Sequence, residues 1–319
     1  KKQNNLVKKI GVIGAGGFIG TNLVDFLLLT QEYTVVSLSN HFTQKKTHQN
    51  NFEIIADVNQ TQELINFLKD CHAIIWLVNV SVPGSNMSLT EEFDLNTKPL
   101  IKFLEKANEL PLMQKFIYLS SGGTVYGNTE EHSPIKEEHS KLPISAYGLS
   151  KLVTENYIEF FTQKNHFESY ILRPSNVYGK YQNLVKPQGI IGFAFKSVIQ
   201  NTTIDLYDDG KVIRDFIFVK DLAEAINKCI KRPINKTKTN IYNVGSGIPY
   251  SIKEIIQKIN VISKKEVKTI AKESRNFDCE YNVLDINKIN KELSWSPSTS
   301  LEDGLTEVAE WINNSEYVQ

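Results

Sequence analysis

Lys9-Ile-Gly-Val-Ile-Gly14-Ala-Gly-Gly17-Phe-Ile-Gly20, near the start of this chain, decides its fold. The short apolar run reads as a buried strand, and from Phe18 to Leu29 the apolar spacing is that of a helix. The glycines fall at the strand-to-helix turn. Gly14 permits the tight turn, Gly17 lets a backbone approach a pyrophosphate, and Gly20 lets helix and sheet pack closely. The helix start at Phe18 and Ile19 then presents free N–H groups and the positive end of a dipole, which favour an anion without any basic side chain.

Working outward, Thr34–Leu38, Phe52–Ala56, Ala73–Leu77 and Lys115–Leu119 are short apolar strands with helical patterns between most of them. That alternation implies right-handed crossovers and a parallel sheet covered on both faces. The expected fold is α/β: a doubly wound parallel Rossmann sheet with a smaller mixed α/β C-terminal lobe. After Arg173 the regularity weakens. Gly179–Gly189 reads as a long loop, Val212–Val219 as a return strand, Asp221–Cys229 as a helix, and Glu302–Trp311 as a closing helix. The expected division is a dinucleotide-binding domain over 1–180, with 212–245 returning to it, and a substrate lobe over 181–211 and 246–319. In such sheets ligands bind beyond the C-terminal strand ends, where Gly14, Leu77, Ser120 and Asn176 fall.

Tyr147 and Lys151, in Ser145-Ala-Tyr-Gly-Leu-Ser-Lys151, are one helical turn apart, so phenol and ammonium share a face. They form an acid/base pair. Free Tyr titrates at ~10, and a fixed ammonium supplies part of the stabilisation a phenolate needs near neutrality.

Bulk properties exclude several classes. Lys plus Arg and Asp plus Glu number 36 each, so no general basic field draws nucleic acid or an anionic membrane. Cys71, Cys229 and Cys279 are scattered and lack metal-ligand spacing, which argues for reduced thiols, no metal site and a cytoplasmic setting. No run approaches the ~20 apolar residues of a membrane span. None of His72, His132 and His166 lies in a motif.

Taken in order, Gly14-x-x-Gly17-x-x-Gly20, Asp57-Val58, Ser120-Ser121 before Val125-Tyr126-Gly127, Tyr147-x-x-x-Lys151, Arg173-Pro-Ser-Asn176 and Arg214-Asp-Phe-Ile resemble the extended short-chain dehydrogenase/reductases. More closely, the chain is similar to the NAD-dependent epimerase/dehydratase family of nucleotide-sugar enzymes, typified by UDP-glucose 4-epimerase, from about Lys8 to Trp311. The resemblance assigns the cofactor NAD to Gly14, Gly17, Phe18, Ile19, Gly20, Ser39, Asn40, Asp57, Val58, Leu77, Val78, Asn96, Tyr147 and Lys151. It assigns a nucleotide-sugar diphosphate and its surroundings to Asn176, Arg214 and Arg275. Two Arg residues on one pyrophosphate make a selective clamp in a neutral protein.

The chain departs from the family at two places. Where most relatives carry an Asp for the adenosine ribose it has Ser39-Asn40, followed by His41 and Lys45-Lys46; loss of that carboxylate removes a barrier to NADP. The position of the family's catalytic Ser or Thr falls on Gly122, so Ser121 or Thr124 is the candidate replacement hydroxyl. Asn282 stands where relatives restricted to plain hexoses carry a bulky Tyr, which predicts room for an N-acetyl group.

The activity implied is 4-epimerisation of a UDP-hexose or UDP-N-acetylhexosamine by transient C4 oxidation. Tyr147 takes the 4-hydroxyl proton and Lys151 holds it ionised. Two rivals stand beside it: an NADPH-dependent reductase of a 4-keto-6-deoxy sugar nucleotide, favoured by Ser39, and a non-catalytic dinucleotide-binding module, favoured by Gly122. Relatives often dimerise through two long helices, which here match Leu89–Glu109 and Ala146–Gln163.

Overall fold

The structure is a computed structural model and describes residues 8–42, 47–129, 132–165, 167–184, 189–235, 238–273 and 279–314. The elements run β1 (Lys8–Ile13), α1 (Phe18–Leu29), β2 (Tyr33–Ser39), β3 (Asn51–Ile55), α2 (Thr61–Leu68), β4 (Ala73–Trp76), α3 (Leu89–Glu92), α4 (Lys98–Glu105), β5 (Lys115–Leu119), α5 (Ala146–Asn165) and β6 (Glu168–Pro174). They continue with β7 (Asn176–Tyr178), α6 (Ile190–Gln200), β8 (Thr203–Tyr207), β9 (Ile213–Arg214), β10 (Phe216–Phe218), α7 (Val219–Lys231), β11 (Thr239–Val244), β12 (Tyr250–Ser251), α8 (Ile252–Ser263), β13 (Lys268–Lys272), β14 (Tyr281–Asn282), α9 (Asn287–Leu293) and α10 (Leu301–Asn314).

The seven-stranded sheet has the order β11-β6-β5-β4-β1-β2-β3. Pairing is parallel from β3 through β6, with Ile13 level with both Leu38 and Trp76. Strand order therefore reverses between β1 and β4, and a doubly wound sheet opens its ligand crevice at that switch point. On one face α2, α4 and α5 bring Leu64, Leu68, Leu100, Phe103, Ile158 and Phe161 onto Ile13, Val36, Ile74, Trp76 and Phe116. Each such side chain contributes about 1.5–3 kcal/mol on burial. A doubly wound parallel sheet is what the alternation of strands and helices predicts, and it is what forms.

The chain divides into two compact units. The first holds residues 1–120, 146–172 and 223–241; the second holds 121–145, 173–222 and 242–319. Compared with the division read from sequence, 121–145, 173–180, 212–222 and 242–245 group with the second unit. Within that unit β7 pairs in parallel with β10, β9 lies between β12 and β14, and β8 pairs with β13. Its core joins α6, α8 and α10 through Ile191, Phe195, Ile255, Ile259, Leu305 and Val308.

Two expected elements are corrected. The return strand Val212–Val219 is broken at Asp215 into β9 and β10, neither of which belongs to the large sheet. The fully buried Asp215 carboxylate accepts Ser246 N, Gly247 N and Leu284 N, so this residue ties loops together where a strand would continue. The expected long helix Leu89–Glu109 is interrupted by a π-helical turn at Phe93–Thr97. Pro99, in the first turn of α4, lacks the N–H that an unbroken helix needs and crowds the preceding turn; a wider turn absorbs it.

Candidate active site

In the first unit the glycine turn sits where β1 and β4 end. Gly14 has φ +90°, and a side chain there would lie 3.0 Å from Val78 N and 3.1 Å from the Leu77 carbonyl carbon. Its N–H and that of Ala15 donate to Leu38 O at 2.8 and 3.0 Å. Gly20 packs on the Gly14 carbonyl, closing α1 onto the turn. Gly16, passed over in the sequence, is equally constrained: a β-carbon there would strike the His41 carbonyl and come within 2.7 Å of Ser39 Oγ. Only spatial proximity shows it, because no spacing rule links positions 16 and 41.

Gly17, exposed, is the N-cap of α1, with no side-chain cap and no acidic residue in the first turn. The N–H groups of Phe18, Ile19 and Gly20 belong to that turn, whose donors have no helical acceptors. A pyrophosphate fits these donors, so the residues present suit a dinucleotide. Ser39 is buried beside Gly16, while Asn40 is exposed and its Oδ1 meets His41 Nδ1 at 3.0 Å. Lys45 and Lys46 lie outside the described residues. Asp57 shapes the turn after β3, accepting Asn59 N at 2.9 Å and Nδ2 at 3.0 Å, and Val58 packs on the core. Asn96 has its whole amide engaged: Oδ1 accepts Val80 N at 2.7 Å, and Nδ2 donates to Ser81 Oγ at 3.1 Å and Glu92 Oε2 at 2.9 Å. It therefore fixes the segment after Leu77-Val78.

Tyr147, half-buried, and Lys151, buried, lie on α5 as the spacing predicts. Lys151 Nζ donates to Leu119 O at 2.9 Å and stands 5.7 Å from the Tyr147 ring centre and 4.9 Å from that of Tyr118. Burial pulls its pKa down to about 7 against the opposing pull of Glu92 and Glu155. Burial also holds the Tyr118 phenol well above its ordinary range, so Tyr118 stays neutral. Glu155, one turn beyond Lys151, accepts Ser120 Oγ at 2.5 Å. Successive turns of α5 thus grip successive residues of the β5 exit. Glu92, at 1% exposure, is held by Ser81, Ser85 and Asn96. Neither carboxylate stood out in the sequence, although Glu155 continues the four-residue spacing of Tyr147 and Lys151.

In the second unit Ser121, Gly122 and Thr124 form a tight turn, with Thr124 N and Val125 N both donating to Ser121 O at 3.4 and 3.2 Å. Gly122 N donates to Pro174 O at 2.8 Å. Behind it Arg173, 1% exposed, donates to Tyr126 Oη at 2.9 Å and to Glu137 O at 3.2 Å. Asn176 Nδ2 donates to Asp215 O at 2.9 Å, and Arg214 Nη1 to Cys279 O at 2.6 Å and Ile213 O at 2.9 Å. Arg275 falls outside the described residues. Asn282, expected beside the sugar 2-position, is 1% exposed, and its Nδ2 donates to the Gly122 carbonyl at 3.1 Å. Among the described residues no cluster of His, Cys, Asp and Glu suits a metal ion, and no helix is long and apolar enough to cross a membrane.

The sequence profile of the NAD dependent epimerase/dehydratase family matches residues 10–245. The chain is 32% identical, over 95% of its length and 98% of the relative's, to a Methanocaldococcus jannaschii protein whose name gives UDP-glucose 4-epimerase as a provisional assignment. Among solved structures it is similar to UDP-glucuronic acid 4-epimerase from Bacillus cereus in complex with UDP-glucuronic acid and NAD (25% identity, TM-score 0.86, 96% and 99% of the two chains). It is also similar to UDP-N-acetylglucosamine 4-epimerase from Methanobrevibacter ruminantium M1 in complex with UDP-N-acetylmuramic acid (27%, TM-score 0.85, 96% and 98%). With a matched profile over most of its length, an uncapped glycine-rich helix start, and a Tyr–Lys pair on one helix face, the chain belongs to the NAD-dependent epimerase/dehydratase family of enzymes.

Proposed function

We propose that the protein is a nucleotide-sugar 4-epimerase that keeps its NAD bound through the cycle and accepts a UDP-hexose or a UDP-N-acetylhexosamine, the second on its likeness to the Methanobrevibacter ruminantium enzyme and not on Asn282. The observation that carries this reading is the Tyr147–Lys151 pair, with Lys151 anchored to the end of β5 and flanked by two buried carboxylates. Bound NAD supplies hydride acceptance and return at C4. Gly14, Gly17, Phe18, Ile19 and Gly20 hold its diphosphate; Ser39, Asn40, Asp57, Val58, Leu77 and Val78 surround its adenosine side. Asn96 acts by fixing the Leu77–Ser81 segment. Tyr147 Oη takes the 4-hydroxyl proton and returns it, and Lys151 stabilises the phenolate. Ser121 and Thr124 are the candidates for the relay hydroxyl absent at Gly122. Asn176, Arg214 and Arg275 are assigned to the substrate diphosphate.

Ser39, in place of the ribose-binding acid, leaves a second reading: an NADPH-dependent reductase of a 4-keto-6-deoxy sugar nucleotide. The three cysteines are free and buried, which supports a cytoplasmic setting. The apolar side chains Leu89, Phe93 and Leu95 before α4, with Leu149, Tyr157 and Phe160 on α5, are 37–59% exposed. They support pairing with a second copy. The direct test is Tyr147→Phe, expected to keep fold and bound cofactor and to lose at least ~10²-fold in turnover of UDP-glucose. Near-normal turnover would remove Tyr147 from the chemistry.

A further inference from the structure

Asn282 closes β14 level with Arg214 of β9, and at 1% exposure it is among the most buried polar residues of the second unit. Its partner is a main-chain carbonyl, so the nitrogen end of the amide must face Gly122. Its Oδ1 has no hydrogen-bond partner among the described residues. Both main-chain groups of Gly122 are therefore claimed, the N–H by Pro174 O and the carbonyl by Asn282. A β-carbon at Gly122 would come within 2.6 Å of Leu284 Cδ1 and 2.8 Å of Arg173 O. No hydroxyl-bearing side chain has room there while the turn keeps this shape. The carbonyl that Asn282 grips belongs to the turn that carries Ser121 and Thr124, and Thr124 Oγ1 is buried without a partner among the described residues.

We propose that Asn282 is a positioning residue for this turn: by holding the Gly122 carbonyl it sets where the Ser121 and Thr124 hydroxyls stand, and it does not gate the size of the sugar. The effect on rate rests on the epimerase reading; the effect on the turn does not. Stability alone gives no reason for an Asn here. A leucine of the same branched shape would remove the orphan Oδ1 and leave the Gly122 carbonyl unpaired in its place, so the two unpaired acceptors roughly offset each other in folding. The retained amide is explained by what its nitrogen fixes.

Three variants test this. Asn282→Leu keeps the branched shape, at a somewhat larger volume, and removes the grip; it should still fold cooperatively while amide exchange across 121–125 rises by at least ~10-fold. Turnover of UDP-glucose and of UDP-N-acetylglucosamine should fall together by at least ~10-fold, with KM within about threefold. Asn282→Asp donates to the Gly122 carbonyl only when protonated. Burial and the adjacent Asp215 carboxylate, with Glu280 and Asp285 flanking β14, raise its pKa, while Arg214 and Arg173 oppose them. Its turnover relative to wild type should recover as pH falls. Gly122→Ser, which restores the family's hydroxyl, should lower turnover by crowding Leu284.

Unchanged exchange at 121–125 in a folded Asn282→Leu protein overturns the proposal. So does a change confined to the ratio between the two sugars, which would make Asn282 a size gate after all. Wild-type protein inactive on both sugars would refute the epimerase reading, and the exchange measurement would still decide whether Asn282 holds the turn.

Discussion

Lys151 is subject to opposed forces that decide how the site titrates. Its burial disfavours the ammonium more strongly than Glu92 and Glu155 favour it, leaving the group near pH 7 against 10.5 in the open chain. Between those values the unfolded chain binds a proton that the folded one does not, so stability rises with pH across that window and the penalty is fully present below it. Lys151→Met, which cannot be charged, should therefore gain most in melting temperature relative to wild type below pH 7, with the gain shrinking toward pH 10.5. A pH-independent difference in thermal scans would contradict this. Glu155→Gln should lower the Lys151 midpoint further, read as the same window opening at a lower pH. The Tyr147–Lys151 pair was legible because a four-residue spacing on a helix fixes a shared face. Glu92 was not, because it reaches this cluster through the π-turn and the Ser81 segment, which no local pattern announces.

At the scale of elements, what the sequence predicts well is what is long and periodic. Strands β1 to β5 and helix α1 carry apolar runs or faces of adequate length, and their positions follow from period alone, whereas the extent of α5 follows from the family resemblance. Strands β9, β10, β12 and β14 have two or three residues each, too few for any alternation to register. Pro99 was visible, but whether a helix stops, kinks or widens at a proline depends on what packs around it. On α5, Leu149, Tyr157 and Phe160 expose apolar surface on a helix whose other side is core. If a second copy covers them, Phe160→Asp should shift the protein from dimer to monomer in sedimentation velocity while leaving the Tyr147–Lys151 turn intact. A wild-type protein that sediments as a monomer at micromolar concentration would remove that assignment.

At the scale of the whole molecule, the sheet follows from alternation, and the switch point between β1 and β4 from strand order. The division into compact units was less legible, because the segments around Asp215 and Gly122 meet the rest of the second unit through hydrogen bonds to residues distant in sequence, not through runs of sequence. The account's central claim is that hydride leaves and returns within one binding event, so cofactor is neither added nor consumed. Purified protein incubated with UDP-glucose and no added dinucleotide, followed by mass spectrometry of the cofactor released on denaturation, tests it most directly. The account predicts UDP-galactose at equilibrium with UDP-glucose, and NAD released from the protein. An absolute requirement for added NADPH, consumed in step with reduction of a 4-keto-6-deoxy sugar nucleotide and with no UDP-galactose formed, would contradict it.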